Sequence, residues 1–135
     1  MKNEKNLSIK EAFNLAVQCH QNNNLQDAQN YYQEVLKIDP NFADAHNNLG
    51  VIFKNQMNYE KAKSCYEKVI AINPNYANAH NNLGVIFQNQ MKREKAKNCY
   101  EKAIAIDPNY ADAHYNFGIL LKAKKKSGLI SIAFS

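Results

Sequence analysis

The amino-acid sequence repeats with a period of 34 residues, and this period restricts the possible fold more than any other feature. The nine residues AHNNLGVIF start at Ala45 and recur unchanged from Ala79, and the related AHYNFGILL starts at Ala113. Residues 43–76 and 77–110 differ at 7 of 34 aligned positions, which leaves 27 identities. A constant period of this length indicates a repeat array, in which each copy is one supersecondary unit that packs against its neighbours.

Each copy reads as a pair of helices. Counted from Ala43 as position 1, the small and apolar residues at positions 4, 7, 8 and 11 form one stripe at 100° per residue, and a second stripe follows from Ala62. A proline closes every copy, since proline cannot continue a helix. We expect Gly50 to face Ala62 where the two helices approach closely, with Phe53 and Tyr66 filling the space beside them. The residues that follow the prolines are predicted to cap the next helix, namely Asn41, Asn75 and Asn109.

These residues resemble those of a known family. The chain reads His46-x2-Leu49-Gly50-x2-Phe53, then Ala62-x3-Tyr66 and Pro74, and the next copy repeats the pattern. This is similar to the 34-residue tetratricopeptide repeat (TPR). Two departures occur: His or Ala12 stands where the pattern has Trp, and the first copy has Ala16 for Gly and Cys19 for the aromatic residue.

The resemblance covers Ile9 to about Lys122 and implies an all-α fold. We expect an α-solenoid of stacked helix-turn-helix hairpins that forms a single domain over residues 1–135. Its repeats are predicted at about 9–42, 43–76 and 77–110, with a partial fourth at 111–135. The end of the chain, KKKSGLISIAFS, lacks the pattern of a second helix, and Ile130 would crowd Gly118 there. This tail is a short imperfect helix, a self-association surface, or the truncated end of a longer array.

Composition and spacing argue against several classes of function. The net charge is +5, but the lysines alternate with glutamates apart from one short run near the end, so we expect no nucleic-acid partner. No segment has the length of apolar sequence that a membrane helix or a signal peptide needs, so we expect a cytoplasmic protein without a membrane partner. No catalytic motif or cofactor motif occurs, and we therefore expect neither an enzyme nor a cofactor.

Two repeated residue types could suggest a metal site, and spacing argues against both. The three cysteines have no metal-binding spacing: Cys19, Cys65 and Cys99. Three histidines recur at position 4, about 10 Å apart in successive copies, which is too far to share one metal ion: His46, His80 and His114. We predict that these histidines pack inward.

The side of the first helix opposite its core stripe is the candidate binding surface. Positions 2, 5, 6, 9, 12 and 13 point away from the core at 100° per residue, and the TPR resemblance implies that first helices line the concave side of the array. Position 6 is asparagine in every copy, and its amide can pair with both the N–H and the C=O of a peptide backbone. The predicted peptide-binding residues are Asn14, Asn47, Asn48, Val51, Lys54, Asn55, Asn81, Asn82, Val85, Gln88, Asn89 and Asn116.

This row of asparagines is similar to the one in the TPR arms of protein O-GlcNAc transferases, which implies capture of a peptide backbone with little dependence on its sequence. The alternative is that position 6 bonds only the neighbouring repeat or solvent. We therefore expect a module that binds an extended segment of a partner protein. Two other functions stay open: a self-assembling unit that forms homo-oligomers through its C-terminal end, and a detached TPR arm of a larger enzyme such as a protein glycosyltransferase.

Overall fold

The computed structural model describes the backbone of residues 7–133 and the side chains of residues 7–123. Within this range the chain is entirely helical apart from its turns, which confirms the predicted all-α helical-repeat class. The helices are α1 (Ile9–Gln21), α2 (Leu25–Ile38), α3 (Ala43–Asn55), α4 (Tyr59–Ile72), α5 (Ala77–Asn89), α6 (Arg93–Ile106) and α7 (Ala111–Ala133). None of the described helices is long and apolar enough to cross a membrane.

The turn inside each hairpin is a three-residue helix cap. Its central residue has a left-handed backbone, with φ of 60° at Asn23, 61° at Met57 and 62° at Met91. The next N–H donates to the carbonyl five residues earlier, as from Asn58 to Phe53 at 2.8 Å. This is the hydrogen bond of a Schellman motif, which usually has glycine at the left-handed position. The same cap therefore closes all three hairpins although none of them has that glycine.

The junction between copies ends one helix and positions the next. Asp39, Asn73 and Asp107 are extended C-caps, since a residue that precedes proline avoids the helical region. The predicted N-caps Asn41 and Asn75 are wrong: the N-caps are Phe42 for α3 and Tyr76 for α5, and neither makes a side-chain cap hydrogen bond. Asn41 instead donates its backbone N–H to the Asp39 carboxylate at 3.0 Å, as in an Asx turn.

The chain divides into two units, and each is described by itself. The first unit ends at Asn73 and contains α1 to α4, in which α1 pairs with α2, α2 contacts α3, and α3 pairs with α4. The second unit begins at Pro74 and contains α5 to α7, in which α7 packs on α6 and also contacts α5. The core of each unit is built from alanines, leucines and isoleucines around fully buried tyrosines: Tyr32 and Tyr66 in the first unit, and Tyr100 in the second.

The small residue at position 8 faces one of these tyrosines. A Cβ added to Gly50 would lie 2.7 Å from Cε1 of Tyr66, and one added to Gly84 would lie 2.6 Å from Cε1 of Tyr100. The expected close approach of the helices is present. The tyrosine ring, which was expected beside the contact, is itself the group packed on the glycine.

The last helix departs from the pattern. α3 and α5 have 13 residues each, whereas α7 has 23 and continues past the position where the other first helices turn. Among the described side chains, nothing lies within 4 Å of a Cβ built on Gly118. The fourth copy is thus present as a long first helix. The predicted clash of Ile130 with Gly118 involves a side chain outside the described residues.

Candidate functional site

The predicted binding residues lie on α1 and α3 in the first unit and on α5 and α7 in the second. We call the set of these residues within each unit the first-helix surface of that unit. In the first unit Asn14 and Asn55 are exposed, whereas Asn48, Val51 and Lys54 are half-buried. In the second unit Asn89 is exposed, and Val85, Gln88 and Asn116 are half-buried. Nine of the twelve predicted residues are thus at least partly accessible within their unit.

In the first unit, position 6 is held by a tyrosine of the preceding hairpin. Nδ2 of Asn48 donates to the phenol oxygen of Tyr32 at 3.2 Å. Nδ1 of His20 lies 3.3 Å from the same oxygen. Burial raises the pKa of Tyr32, although the hydrogen bond from Asn48 acts against that rise, and burial lowers the pKa of His20. The phenol therefore stays neutral near pH 7 and fixes the amide of Asn48.

In the second unit, asparagines hold one another. Nδ2 of Asn116 on α7 donates to Oδ1 of Asn81 on α5 at 3.1 Å, so position 6 of one copy bonds position 5 of the copy before it. Nδ2 of Asn82 donates to Oδ1 of Asn78 at 2.7 Å, and Nδ2 of Asn78 donates to the phenol oxygen of Tyr110 at 2.9 Å. Tyr110 was not part of the prediction, and Asn78, at position 2, was predicted on the outward side of the helix but not among the peptide-binding residues.

The prediction that positions 5 and 6 point to solvent in every copy is wrong at three residues. Asn47 is 6% exposed, Asn81 4% and Asn82 7%. The helical-wheel prediction assumed that each first helix packs against one neighbour. However, α5 contacts both the second helix of its own hairpin, α6, and the next first helix, α7. The second contact covers the side of α5 that carries Asn81. Asn81 and Asn82 each hydrogen-bond a neighbouring asparagine from this buried position.

Position 12 serves the hairpin as well as the surface. The hydroxyl of Tyr100 on α6 donates to Oε1 of Gln88 at 2.6 Å. His20, which is one period before Lys54 and two before Gln88, lies beside Tyr32 in the same way. The equivalence of these positions could have been read from the 34-residue period, but the phenols that His20 and Gln88 contact could not. The side chains of His20 and Gln88 are therefore oriented by a tyrosine of their own hairpin.

The position-4 histidines tie each inter-copy junction to the next helix. Nε2 donates to the carbonyl of the preceding proline in every case: from His46 to Pro40 at 2.8 Å, from His80 to Pro74 at 2.9 Å and from His114 to Pro108 at 2.7 Å. A carbonyl oxygen only accepts, so Nε2 carries the hydrogen. His46 and His80 are 7% and 5% exposed, which confirms that these two pack inward. His114 is exposed, because no second helix covers it in the described part of the chain.

Models of known families match most of the chain. A tetratricopeptide repeat model matches residues 43–76 and 77–110, a TPR repeat model matches 18–56, and another tetratricopeptide repeat model matches 99–130. Curated protein sequences give no significant match. TPR repeats in general mediate protein–protein interactions.

Many solved structures share this fold. The crystal structure of MamA is 24% identical with a TM-score of 0.78, and the alignment covers 87% of this chain and 69% of that one. The first TPR of Spaghetti (RPAP3), bound to the HSP90 peptide SRMEEVD, is 19% identical with a TM-score of 0.81, covering 87% and 93%. A mutant O-GlcNAc transferase of Thermobaculum terrenum is 23% identical with a TM-score of 0.80, covering 90% of this chain but 23% of the transferase. The matched models and the shared fold together show that this chain belongs to the tetratricopeptide repeat family.

Proposed function

We propose that this chain binds an extended segment of a partner protein along the first-helix surface of its units, chiefly through the peptide backbone. The observation that carries the proposal is the position-6 asparagine, which occurs in every copy and is fixed by hydrogen bonds at Asn48 and Asn116. An amide has two donor hydrogens and an acceptor oxygen, and each of these bonds uses one hydrogen. The remaining hydrogen and the oxygen are suited to a backbone C=O and N–H.

The fixed geometry favours binding, because an amide that is already oriented loses less side-chain entropy when a ligand arrives. Asn48 is fixed by a fully buried phenol, and Asn116 by an asparagine that is 4% exposed. We assign direct contact to the accessible residues of the surface. The three buried amides, Asn47, Asn81 and Asn82, are assigned a supporting role.

The chemistry of the accessible residues favours recognition of the backbone over recognition of charged side chains. The half-buried valines Val51 and Val85 offer apolar contact, and most of their neighbours on the surface are uncharged amides. Such a surface can hold any extended segment that has small or apolar side chains facing the valines. The Spaghetti TPR, which has the same fold, is bound to a seven-residue peptide, so a peptide-binding use of the fold supports the proposal.

The test starts from peptides selected on the intact chain from a random peptide library. Binding of a selected peptide is then measured by calorimetry for the wild-type chain and for Asn48→Ala. Loss of two backbone hydrogen bonds at a partly desolvated site should weaken binding by about 1–3 kcal/mol, which is roughly five- to 150-fold. Asn98→Ala is the matched control, because Asn98 is an exposed asparagine on the second helix α6, and it should leave the affinity unchanged.

A second experiment separates backbone capture from side-chain recognition. Peptide bonds of the selected peptide are replaced one at a time by esters, which remove a backbone N–H and keep the side chains. Ester replacement should weaken binding at the residues that lie against the asparagines, whereas shuffling polar side chains should have little effect. If Asn48→Ala binds as tightly as wild type and the esters are tolerated throughout, the backbone mechanism is wrong.

A further inference from the structure

Three side chains of the first unit form a row of hydrogen-bonding groups that ends at its first-helix surface. Nδ1 of His20 on α1 lies 3.3 Å from the phenol oxygen of Tyr32 on α2, and Nδ2 of Asn48 on α3 lies 3.2 Å from the same oxygen. The imidazole and phenol rings meet edge to face with 6.1 Å between centroids. Because Tyr32 is fully buried, its hydroxyl hydrogen has no access to water and depends on these two partners.

The direction of these hydrogen bonds depends on the protonation of His20. A neutral imidazole with its hydrogen on Nε2 has a bare Nδ1, which accepts a hydrogen bond. The hydroxyl of Tyr32 then donates to His20, and its oxygen accepts from Nδ2 of Asn48, which agrees with the donation from Asn48 to the phenol in the structure. In this state the buried hydroxyl is satisfied. Asn48 keeps one amide hydrogen and its oxygen for a ligand.

Protonation of His20 reverses the row. An imidazolium has a hydrogen on both nitrogens and can only donate, so the phenol oxygen would face two donors while its own hydrogen has no acceptor. A buried donor without a partner is unfavourable. A half turn of the Asn48 amide about its Cβ–Cγ bond exchanges Nδ2 and Oδ1 and restores an acceptor, and this torsion is broad and roughly two-fold. The turned amide presents two donors and no acceptor to a ligand.

The hairpin of α5 and α6 has a permanent acceptor at the equivalent place. Gln88 occupies position 12 there, as His20 does in the first copy, and its Oε1 accepts from the hydroxyl of Tyr100 at 2.6 Å. An amide oxygen accepts at every pH, whereas Nδ1 of a histidine accepts only in the neutral ring. In the same unit Asn116 is fixed by Asn81, which does not titrate. The second unit is therefore an internal reference for the first.

The neighbours of His20 leave it as the group that changes charge between pH 5 and 7. From α2 it faces Tyr32, whose pKa is raised by burial and further by Cys19 of α1. Asp27, in the first turn of α2, accepts a hydrogen bond from a turn asparagine at 2.9 Å, and α3 has Lys54 at the position equivalent to His20. Histidine is the one residue type among these that ordinarily titrates in this range. Burial, and not one of these charges, lowers the pKa of His20 below its ordinary value of 6.5, so the ring is neutral at pH 7.5 and becomes charged as the pH falls through the lowered value.

We propose that His20 regulates the first-helix surface of the first unit according to pH, through the phenol of Tyr32 and the amide of Asn48. Neutral His20 holds the amide in the orientation that offers both a donor and an acceptor to a peptide backbone. Charged His20 turns the amide, so that the acceptor for a backbone N–H is lost and capture of the partner segment weakens. The effect on binding rests on the proposed function, whereas the turn of the amide requires no ligand.

The first experiment follows the full chain without a ligand by NMR between pH 7.5 and pH 5. The imidazole nitrogen shifts should place the hydrogen of neutral His20 on Nε2. The side-chain amide signals of Asn48 should move as His20 becomes protonated, whereas those of Asn116 should stay constant. His20→Gln introduces the position-12 residue of the third copy and should abolish the movement at Asn48. A hydrogen on Nδ1 of neutral His20, or Asn48 signals that move equally in His20→Gln, would overturn the proposal.

The second experiment measures peptide affinity by calorimetry at the same two pH values. The peptide is selected from a library without His, Asp or Glu and is blocked at both ends, so that it does not titrate itself. Wild type should bind about tenfold more weakly at pH 5, and His20→Gln should bind equally at both values. His114→Gln is the control, because His114 bonds the Pro108 carbonyl in the second unit, and it should keep the tenfold change.

The two experiments separate the regulation from the proposed function. If Asn48→Ala weakens binding but the affinity of wild type is the same at pH 7.5 and pH 5, the surface captures the peptide and the regulation by His20 is wrong. If Asn48→Ala binds as tightly as wild type while the Asn48 amide still turns with pH, the proposed function is wrong and the turn of the amide is confirmed.

Discussion

The position-8 glycines should respond in opposite directions to the same substitution. Alanine is favoured over glycine inside a helix by about 1 kcal/mol. At Gly118, where nothing described lies within 4 Å of the added Cβ, this gain should appear almost in full. At Gly84 the Cβ would lie 2.6 Å from the ring of Tyr100, which is fully buried and has no free space to move into. The two substitutions are chemically identical and differ only in what faces the added methyl group.

The size of the stability change expected for Gly84→Ala follows from the contact with the Tyr100 ring. Overpacking a filled core costs about 1–3 kcal/mol, which exceeds the helix-propensity gain, so Gly84→Ala should be destabilised by up to about 2 kcal/mol. In the first hairpin Ala16 occupies position 8 and is fully buried, so this helical hairpin can form with alanine there. Gly118→Ala should be stabilised by about 0.5–1 kcal/mol.

The assay is urea unfolding of wild type, Gly84→Ala and Gly118→Ala, followed by far-UV circular dichroism at several protein concentrations. The free energies of unfolding of the two variants should differ by about 1–3 kcal/mol, with wild type between them. If Gly84→Ala stabilises the chain as much as Gly118→Ala does, the contact with the Tyr100 ring does not explain the glycine at position 84.

Two further predictions concern the turns and the thiols. Met57→Gly and Met91→Gly should each stabilise the chain by about 0.5–1 kcal/mol in thermal unfolding, because glycine relieves the left-handed strain at φ of 61° and 62°, whereas Gln56→Gly, at φ of −86°, should destabilise it. Burial raises the pKa of Cys65 and Cys99 from 9.0 to about 11, so the folded state holds these protons more tightly. The resulting stability is complete below pH 9 and is lost as the pH rises towards 11. The variant Cys65→Ala/Cys99→Ala should lose less free energy of unfolding than wild type as the pH rises from 9 to 11, measured by urea unfolding. An equal loss in the two proteins would contradict this assignment.

The fold could be predicted from the sequence because the 34-residue period gives the boundaries of each hairpin. The structure has a helix end just before each proline and a close helix contact at Gly50 and Gly84, as expected. The N-caps were not accessible in the same way. Asparagine is a residue type that often caps helices, but the backbone N–H of Asn41 donates to the carboxylate of Asp39, two residues earlier, in a turn. Short-range competition of this kind between polar side chains is not visible in a helical wheel.

The candidate site was predicted less well, and for a different reason. A wheel assigns each residue to one of two faces, but a first helix within an array has neighbours on more than one side. Asn81 is covered by α7 and accepts a hydrogen bond from Asn116, so it belongs to the scaffold of the surface. The phenols that fix Asn48 and Gln88 come from second helices, whose rotation relative to the first helix the sequence does not specify.

The three-residue turns also affect how the chain folds. α3 and α5 share the same nine residues, so α4 and α6 meet nearly the same partner surface, and little in the contacts themselves rejects a hairpin of α3 with α6. The correct pairing closes a loop of three residues, whereas that wrong pairing would close residues 56–92, a loop of 37. The entropic cost of closing the loop therefore favours pairing of α3 with α4 over pairing with α6 by about 2 kcal/mol. The strained methionine turns thus select the partner during folding, and lengthening one of them should increase exchange of helices between copies.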